Sequence, residues 1–395
     1  MEDGGRWVET ALSAFRREYG RDAQWAASAP GRVNLIGEHT DYNGGLALPC
    51  AIDRETLVLL APCNDSRVRA SAWDLAESVE FDVGVSRRRG DWSDYVRGIF
   101  FALAEKGVQA SGFDLGIVSR VPMNSGLSSS AALGVAVAGG VSEGLGLEMG
   151  PRDWAHIAHR SESGFVGVGC GLLDHFASAL GQEGHALRID CRSEQVEAIS
   201  VAGEPFGLLL VHSGVERRLA DGTYGVRVDE CRRALDAAVR AGLAPPSART
   251  LSDLAGVEME ALEAALEPLL FRRARHVLSE NERVEAFCKA LAGGDLQGLG
   301  SLLAEAQASL AEDYAVSTPE IDWLCAFGPS CEGVLGSRLT GAGLGGFTLH
   351  LVLTDSREVA EEQISRGFEA RFGRRPQSLW VRPSRGARVE ALGDD

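Results

Sequence analysis

Val121-Pro-Met-Asn-Ser-Gly-Leu-Ser-Ser-Ser-Ala-Ala-Leu133 joins an apolar segment, Phe113–Val118, to a run of small residues from Ala131 to about Val141. The first reads as a strand and the second as a helix. Between them, Gly126 and the serines 128–130 carry little bulk, so the backbone can approach a ligand closely. The first N–H groups of a helix have no partner within it and sit at the positive end of its dipole. Together these features predict a phosphate cradle. The lysine of a Walker A loop is missing, and no G-x-G-x-x-G follows a strand here, so neither the usual P-loop nor a dinucleotide site is read. On this stretch alone, a serine-rich helix cap with no ligand stays open.

Two polar segments flank the cradle. Upstream, Ala29-Pro-Gly-Arg-Val-Asn-Leu-Ile-Gly-Glu-His-Thr-Asp-Tyr-Asn-Gly-Gly45 packs Arg32, Glu38, His39 and Asp41 among glycines, with Val33 and Leu35 alternating toward a core. Carboxylates and imidazole exchange hydrogen bonds with hydroxyls, and arginine serves an anion, so the mixture suits a polyhydroxylated ligand. Downstream, Cys170-Gly-Leu-Leu-Asp-His-Phe176 sets Asp174 in an apolar run, where a carboxylate is either functional, a helix cap or one half of an ion pair. Glu162, expected on a helix, is either a metal carboxylate or a helix-surface residue. Thr340-Gly-Ala-Gly-Leu-Gly-Gly346 is a second loop that exposes backbone.

The remaining pattern mixes helices and strands. Val8, Ala11, Leu12 and Phe15 fall at helical spacing, as do Val96, Ile99, Phe100 and Leu103. Thr56–Ala61, Val68–Ala72, Leu208–His212, Phe347–Leu353 and Leu379–Val381 read as strands, while helices are expected around Cys231–Ala238 and between Ser252 and Ala311. Without strict βαβ alternation, the fold class is α+β. Ala244-Pro-Pro-Ser247 marks a surface connection. The expected seam lies at about residues 200–215, dividing the chain into an N-terminal lobe, 1–205, and a C-terminal lobe, 206–395.

Composition narrows the partners. The net charge is −17 over 395 residues, which argues against nucleic acid or a membrane surface, both polyanionic. No apolar run approaches the roughly 18 residues of a membrane span, and the acidic start, Met1-Glu2-Asp3, shows no secretory signal. The expected compartment is the cytoplasm. The eight cysteines are scattered without a C-x-x-C pair and read as reduced thiols. Lys106 and Lys289 are the only lysines, so a phosphate must be met by arginine, backbone N–H groups or a metal.

In this order, the segments resemble the galactokinase branch of the superfamily that groups galactokinases, homoserine kinases, mevalonate kinases and phosphomevalonate kinases. Gly31-Arg-Val-Asn-Leu-Ile-Gly-Glu-His-Thr-Asp-Tyr-Asn43 looks like the galactokinase signature. Gly126-Leu-Ser-Ser-Ser-Ala-Ala-Leu133 is similar to the superfamily phosphate loop, and Leu339–Gly346 to its third motif. Lesser matches are Gly184–Ser193, Ala274–Arg283 and Tyr314–Asp322. The resemblance implies a two-lobed small-molecule kinase fold with the active site between the lobes, using ATP and Mg²⁺ on a galactose-like sugar, as a monomer. It implies catalytic roles for Arg32 and Asp174, and a sugar site of Glu38, His39, Asp41, Gly171, Asp174 and Tyr224. ATP would meet Trp92 and Tyr95 near the adenine, and Gly126, Leu127, Ser128, Ser129, Ser130 and Ala131 at the phosphates. Ser130 and Glu162 would hold Mg²⁺.

The chain departs from the family pattern at several places. Leu173-Asp174-His175 stands for Met-Asp-Gln, and Asn124-Ser125 for a Gly or Ala pair. Gly134 stands for a Glu, Ala306-Gln307 for Ser-His, and Phe347 for Cys. His175 is read either as turned toward the pocket or as packed in the lobe interior. The implied reaction is phosphorylation of a galactose at its anomeric hydroxyl, with Asp174 as base or orienting acceptor and Arg32 as electrostatic stabiliser. A same-fold kinase for another sugar, such as N-acetylgalactosamine, and a non-catalytic sugar sensor are the alternatives. Sensors among such relatives can lose residues from the Ser-Ala run, which is intact here from Ser128 to Ala132.

Overall fold

The computed structural model describes residues 2–123, 125–216 and 222–393. Asn124, one of the departures named above, lies outside the described residues. Among these, strands gather into three sheets. The largest runs β13 (Arg388–Ala391), β1 (Trp25–Asn34), β3 (Pro49–Pro62), β6 (Phe113–Ser119), β4 (Arg67–Ala72), β5 (Glu77–Asp82). All its pairings are antiparallel except β4 with β6.

Strand β3 is apolar without alternation because the sheet is covered on both faces. Leu57, Leu59 and Ala61 meet Ala11 and Phe15 of helix α1 (Glu2–Tyr19), while Val58 and Leu60 face the other way. On that second face lie α2 (Ser93–Glu105), α3 (Ser129–Gly144), α4 (Pro151–Arg160) and α5 (Leu173–Leu180). They contribute Ile99, Phe100, Val135, Val137, Ile157 and Phe176 to one core. A one-residue step along β3 therefore moves a side chain from one core to the other.

The second sheet, β10 (Val334–Leu339), β11 (Phe347–Leu353), β9 (Phe206–His212), β12 (Ser378–Val381), is antiparallel throughout. Leu209 and Val211 pack on α11 (Arg357–Phe372) through Ile364 and Phe368. The alternate residues Leu208 and Leu210 face Val33, Leu35, Ile36, Val121 and Leu127 from the first half. The same core takes Val284, Phe287, Leu299 and Leu303 from α8 (Pro268–Gly293) and α9 (Leu296–Glu312). A third core joins α6 (Thr223–Arg240), α7 (Met259–Ala265), α8 and α10 (Pro319–Phe327). A small sheet of β2 (Leu46–Ala47), β7 (His185–Asp190) and β8 (Gln195–Ser200) lies beside the signature segment.

Helices and strands thus occupy the positions expected from periodicity, and the mixed architecture is α+β. The core shared by Val33, Leu127 and Leu210 packs the signature and the serine loop against β9. The last strand pairs Trp25 with Ala391, returning the end of the chain to the first sheet. We propose a lobe boundary near residue 205, with β13 completing the first lobe. Glu162, expected on a regular helix, lies on a turn of π-helix, Ser161–Val166, where Gly167 N–H reaches back five residues to the Glu162 carbonyl at 2.9 Å.

Candidate active site

The serine loop is stitched to β1. Arg32 N–H donates to the Leu127 carbonyl at 3.1 Å, and its Nη1 to the Gly126 carbonyl at 2.6 Å. The rest of the guanidinium meets Asp174 at the start of α5, with Nε 2.8 Å and Nη2 2.6 Å from Oδ1. Ser128 donates to the other oxygen, Oδ2, at 2.5 Å. One carboxylate thereby ties together the signature, the loop and α5. Burial pushes the Asp174 carboxyl up, but the Arg32 charge and the Ser128 hydroxyl outweigh it and hold it below the usual carboxylate range.

Ser128 is the residue before α3 and has φ 58°, ψ 46°. The first α-helical bond runs from Ala132 N–H to the Ser128 carbonyl at 3.0 Å, so the N–H groups of Ser129, Ser130 and Ala131 precede it. Gly341 of the third loop abuts the serine loop so closely that a Cβ there would lie 2.9 Å from the Gly126 carbonyl oxygen. Two backbone-exposing loops therefore meet edge to edge at the helix N-terminus.

Asp41 sits next to this centre. Its Oδ2 accepts from Gly171 N–H at 3.1 Å, and a Cβ on Gly171 would come within 2.4 Å of that oxygen. Burial, and then the Asp174 charge, push the Asp41 carboxyl up to about 6, against the backbone N–H bonds and Arg32. Tyr224 joins them; burial and the Asp41 charge raise its phenol well above the ordinary value. The two carboxylates are thus driven in opposite directions, Asp174 down and Asp41 up.

Glu38 and His39 stand deeper, 3% and 5% exposed. Glu38 Oε1 accepts from Gly341 N–H at 3.0 Å, and Oε2 pairs with the fully buried Arg338. Burial pushes the Glu38 carboxyl up to about 7, against the pull of Arg338 and with the repulsion of Glu280. His39 Nε2 donates to the Ala342 carbonyl at 3.1 Å, which leaves Nδ1 to accept from the Tyr42 hydroxyl at 2.9 Å. Tyr42 and Tyr314 hydroxyls lie 2.7 Å apart, and the Tyr314 ring is 4.6 Å from that of His39. His39, like Ser128, has a left-handed backbone, φ 62°.

On the other side of the loop, Ser130 donates to Glu162 Oε1 at 3.1 Å. Tyr95, on α2, gives its carbonyl to the Ser161 hydroxyl at 3.1 Å, and Glu162 contributes to raising its phenol, after burial. Trp92, the residue before α2, donates its indole N–H to the Glu77 carboxylate at 2.7 Å. Ser130 and Glu162 offer the hard oxygen ligands that Mg²⁺ takes, at a helix N-terminus where phosphates are favoured, so the donor set fits a magnesium–nucleotide pair.

Residues 13–62 match the galactokinase galactose-binding signature, 94–182 the N-terminal domain of the GHMP kinases and 284–371 their C-terminal domain. The galactokinase of Roseiflexus sp. (strain RS-1) is 41% identical over 362 residues, 91% of each chain. The chain belongs to the galactokinase family. The galactokinase of Chloroflexus aurantiacus is 39% identical over 377 residues, covering 94% of this chain and 95% of that one. The Lactococcus lactis galactokinase crystallised with galactose superposes with a TM-score of 0.91 at 30% identity, covering 96% of this chain and 99% of that one. A mevalonate kinase from Methanococcus jannaschii, at 19% identity, shares the fold with a TM-score of 0.64 over 92% of this chain and 99% of its own.

For a galactokinase, several residues here carry more than sequence reasoning assigned. Tyr42, Tyr314, Arg338 and Glu280 were not singled out as site residues. Tyr42 and Tyr314 lie inside motifs that carry the family resemblance, and that membership is the available signal. Arg338 sits in β10 as the lone charge of an apolar strand, which is the signature of a buried ion pair. The departures are absorbed locally. Gln307 accepts from Leu339 N–H at 2.9 Å, and a Cβ on Gly134 would already be 3.1 Å from that of Ala158. Phe347 lies in the core between the two halves.

Proposed function

We propose that the chain transfers the γ-phosphoryl group of ATP to the anomeric hydroxyl of galactose, giving galactose 1-phosphate and ADP. The observation that carries this reading is the triple junction of Arg32, Asp174 and Ser128 beside a helix N-terminus built for phosphate, in a chain of the galactokinase family. The bond from the sugar oxygen to phosphorus forms as the bond from phosphorus to the leaving ADP oxygen breaks. The hydroxyl proton passes to Asp174. In a loose transition state that proton leaves late, so a carboxylate held below its usual pKa is basic enough. Its first task is to orient the hydroxyl in line, the alignment on which such reactions chiefly depend.

Arg32 keeps Asp174 ionised and places positive charge beside the migrating group. N–H groups of Ser129, Ser130 and Ala131 would receive the phosphates, and Trp92 and Tyr95 would border the adenine. Asp41, Gly171 and Tyr224 would meet the sugar hydroxyls, with Glu38 and His39 at the buried end of the same pocket. Mg²⁺, held by Ser130 and Glu162, would neutralise charge on the phosphates. We take the protein to act as a monomer in the cytoplasm, in keeping with eight unpaired cysteines; among the described residues no helix is long and apolar enough to cross a membrane.

ADP release measured across a panel of sugars, with phosphorus NMR of the product, tests the reading. Galactose is expected to react at C1 and to be strongly preferred over glucose, because an inverted hydroxyl leaves buried polar groups unpaired, a mismatch that can cost about 10⁴–10⁵ in kcat/KM. Equal rates on the two epimers would reduce the assignment to a broader sugar kinase. No turnover with any sugar would favour a sensor.

A further inference from the structure

His175 is 1% exposed, and neither ring nitrogen has a hydrogen-bond partner among the described residues. Its Nε2 lies 3.0 Å from Glu162 Oε2, but off the direction a hydrogen bond needs. Buried polar atoms are rarely left unpaired, and those that are commonly mark a missing water or ion. The third group at this point is Cys170: one ligand atom each from Glu162, Cys170 and His175 all lie within 4.8 Å of one another.

We propose that Glu162, Cys170 and His175 form a binding site for a thiophilic divalent cation of the zinc class. Sulfur, imidazole nitrogen and one carboxylate oxygen are the donors that zinc selects, and three protein ligands leave its fourth position open. Around a tetrahedral zinc ion ligand atoms stand about 3.5 Å apart, so closing the site takes a shift of about 1 Å. Cys170 lies in the Gly167–Gly171 loop, which contains three glycines and can supply it. His159 steadies that loop, with Nε2 donating to the Cys170 carbonyl at 3.0 Å and its ring edge-on to His175, 5.4 Å between centres.

Glu162 therefore has two chemically different faces. Oε1 accepts from Ser130 on the side proposed for Mg²⁺, and Oε2 faces the His175 imidazole, with the Cys170 thiol within reach of the same carboxylate. A zinc-class ion on the second face draws the carboxylate away from the first, so it inhibits by raising the Mg²⁺ requirement; this consequence rests on the magnesium reading above.

Co²⁺, a spectroscopic stand-in for zinc, tests the site directly on the full chain without nucleotide. The expected result is one tightly bound ion per chain, with tetrahedral d–d bands and a thiolate-to-cobalt charge-transfer band. Cys170→Ser should lose the charge-transfer band, and His175→Gln should bind about tenfold or more weakly, since even second-shell changes cost 10–100-fold. Circular dichroism shows whether each variant is folded. Wild-type protein that leaves cobalt as the hexaaqua ion, or a charge-transfer band that persists in Cys170→Ser, would overturn the site. In the kinetic arm, Zn²⁺ should inhibit the wild type in a manner relieved by Mg²⁺, and His175→Gln should be resistant while keeping its rate in Mg²⁺ alone. Cobalt binding without such inhibition would uphold the site and overturn the sharing of Glu162.

Discussion

Ser128 donates a 2.5 Å hydrogen bond to Asp174 from a backbone held in the left-handed region, φ 58°. That conformation is costly for a residue with a Cβ, and in it the Ser128 hydroxyl reaches the carboxylate while its carbonyl starts α3. The two parts of this arrangement can be separated. Ser128→Ala keeps the strained backbone and loses the hydroxyl, whereas Ser128→Gly loses both. Urea denaturation should find Ser128→Gly the more stable of the two by about 1 kcal/mol, with kcat reduced in both. An alanine variant more stable than the glycine variant would mean that the backbone stores no strain.

Asp41 supplies a pH dependence. Its carboxyl, raised to about 6 by burial and the Asp174 charge, takes up a proton in the sugar-free protein as pH falls through that value. The acceptor proposed for a sugar hydroxyl is then lost, so KM for galactose should rise as pH falls below about 6, by up to about tenfold per unit. Asp41→Asn should show a higher KM that is flat across the same window. The stability sign is opposite. A carboxyl with a raised folded-state pKa favours folding below its unfolded pKa of about 4, and that contribution is lost as pH rises through about 6. Sugar-free Asp41→Asn should therefore melt at a higher temperature than wild type at pH 8. A flat wild-type KM between pH 5 and 8 would remove Asp41 from the sugar site.

Arg338 has no exposed surface. It donates to the Leu35 carbonyl at 2.9 Å, pairs with Glu38 and lies 4.0 Å from Glu280. Glu280 keeps Arg283 at 2.7 Å and accepts from Gly37 N–H at 2.9 Å, so the partner stranded by removing Arg338 is Glu38. Breaking a buried pair from one side costs about 3–5 kcal/mol, and Arg338→Leu should lose that much in urea at pH 8. At pH 6 the loss should be smaller, because Glu38, already raised to about 7, can protonate. Restoring neutrality with Arg338→Met and Glu38→Gln together should recover part of it. A loss below about 1 kcal/mol at pH 8 would show the pair to be dispensable.

Much of this was legible in the residues. Short unbroken apolar runs located the strands from Thr56 to Ala61 and from Leu208 to His212, because each is sandwiched between two apolar layers. Small residues announced the serine loop, and an apolar surround drew attention to Asp174. What stayed hidden is the geometry between segments distant in sequence. Arg32 and Asp174 are 142 residues apart, and the motif resemblance, not spacing, paired them. Nothing local foretells the left-handed backbone of Ser128 or His39, since only a few per cent of residues other than glycine adopt it. The π turn at Glu162, Ser161–Val166, also escaped, because the residue types there do not distinguish it from an ordinary helical turn. Likewise, β13 is four residues long, and its pairing with Trp25–Ser28 depends on chain return, not composition.

Asp174 is the centre on which the proposed chemistry turns, and Asp174→Asn is the substitution that tests it. Asparagine keeps the size and one acceptor but removes the charge that receives the proton and pairs with Arg32. The measurement is kcat with galactose beside the dissociation constant for ATP, in variant and wild type. The expected result is a fall in kcat of about 10²–10⁴, with ATP affinity nearly unchanged because the contacts proposed for the nucleotide belong to the loop and α3. A variant that turns over galactose at close to the wild-type kcat would contradict the assignment of Asp174.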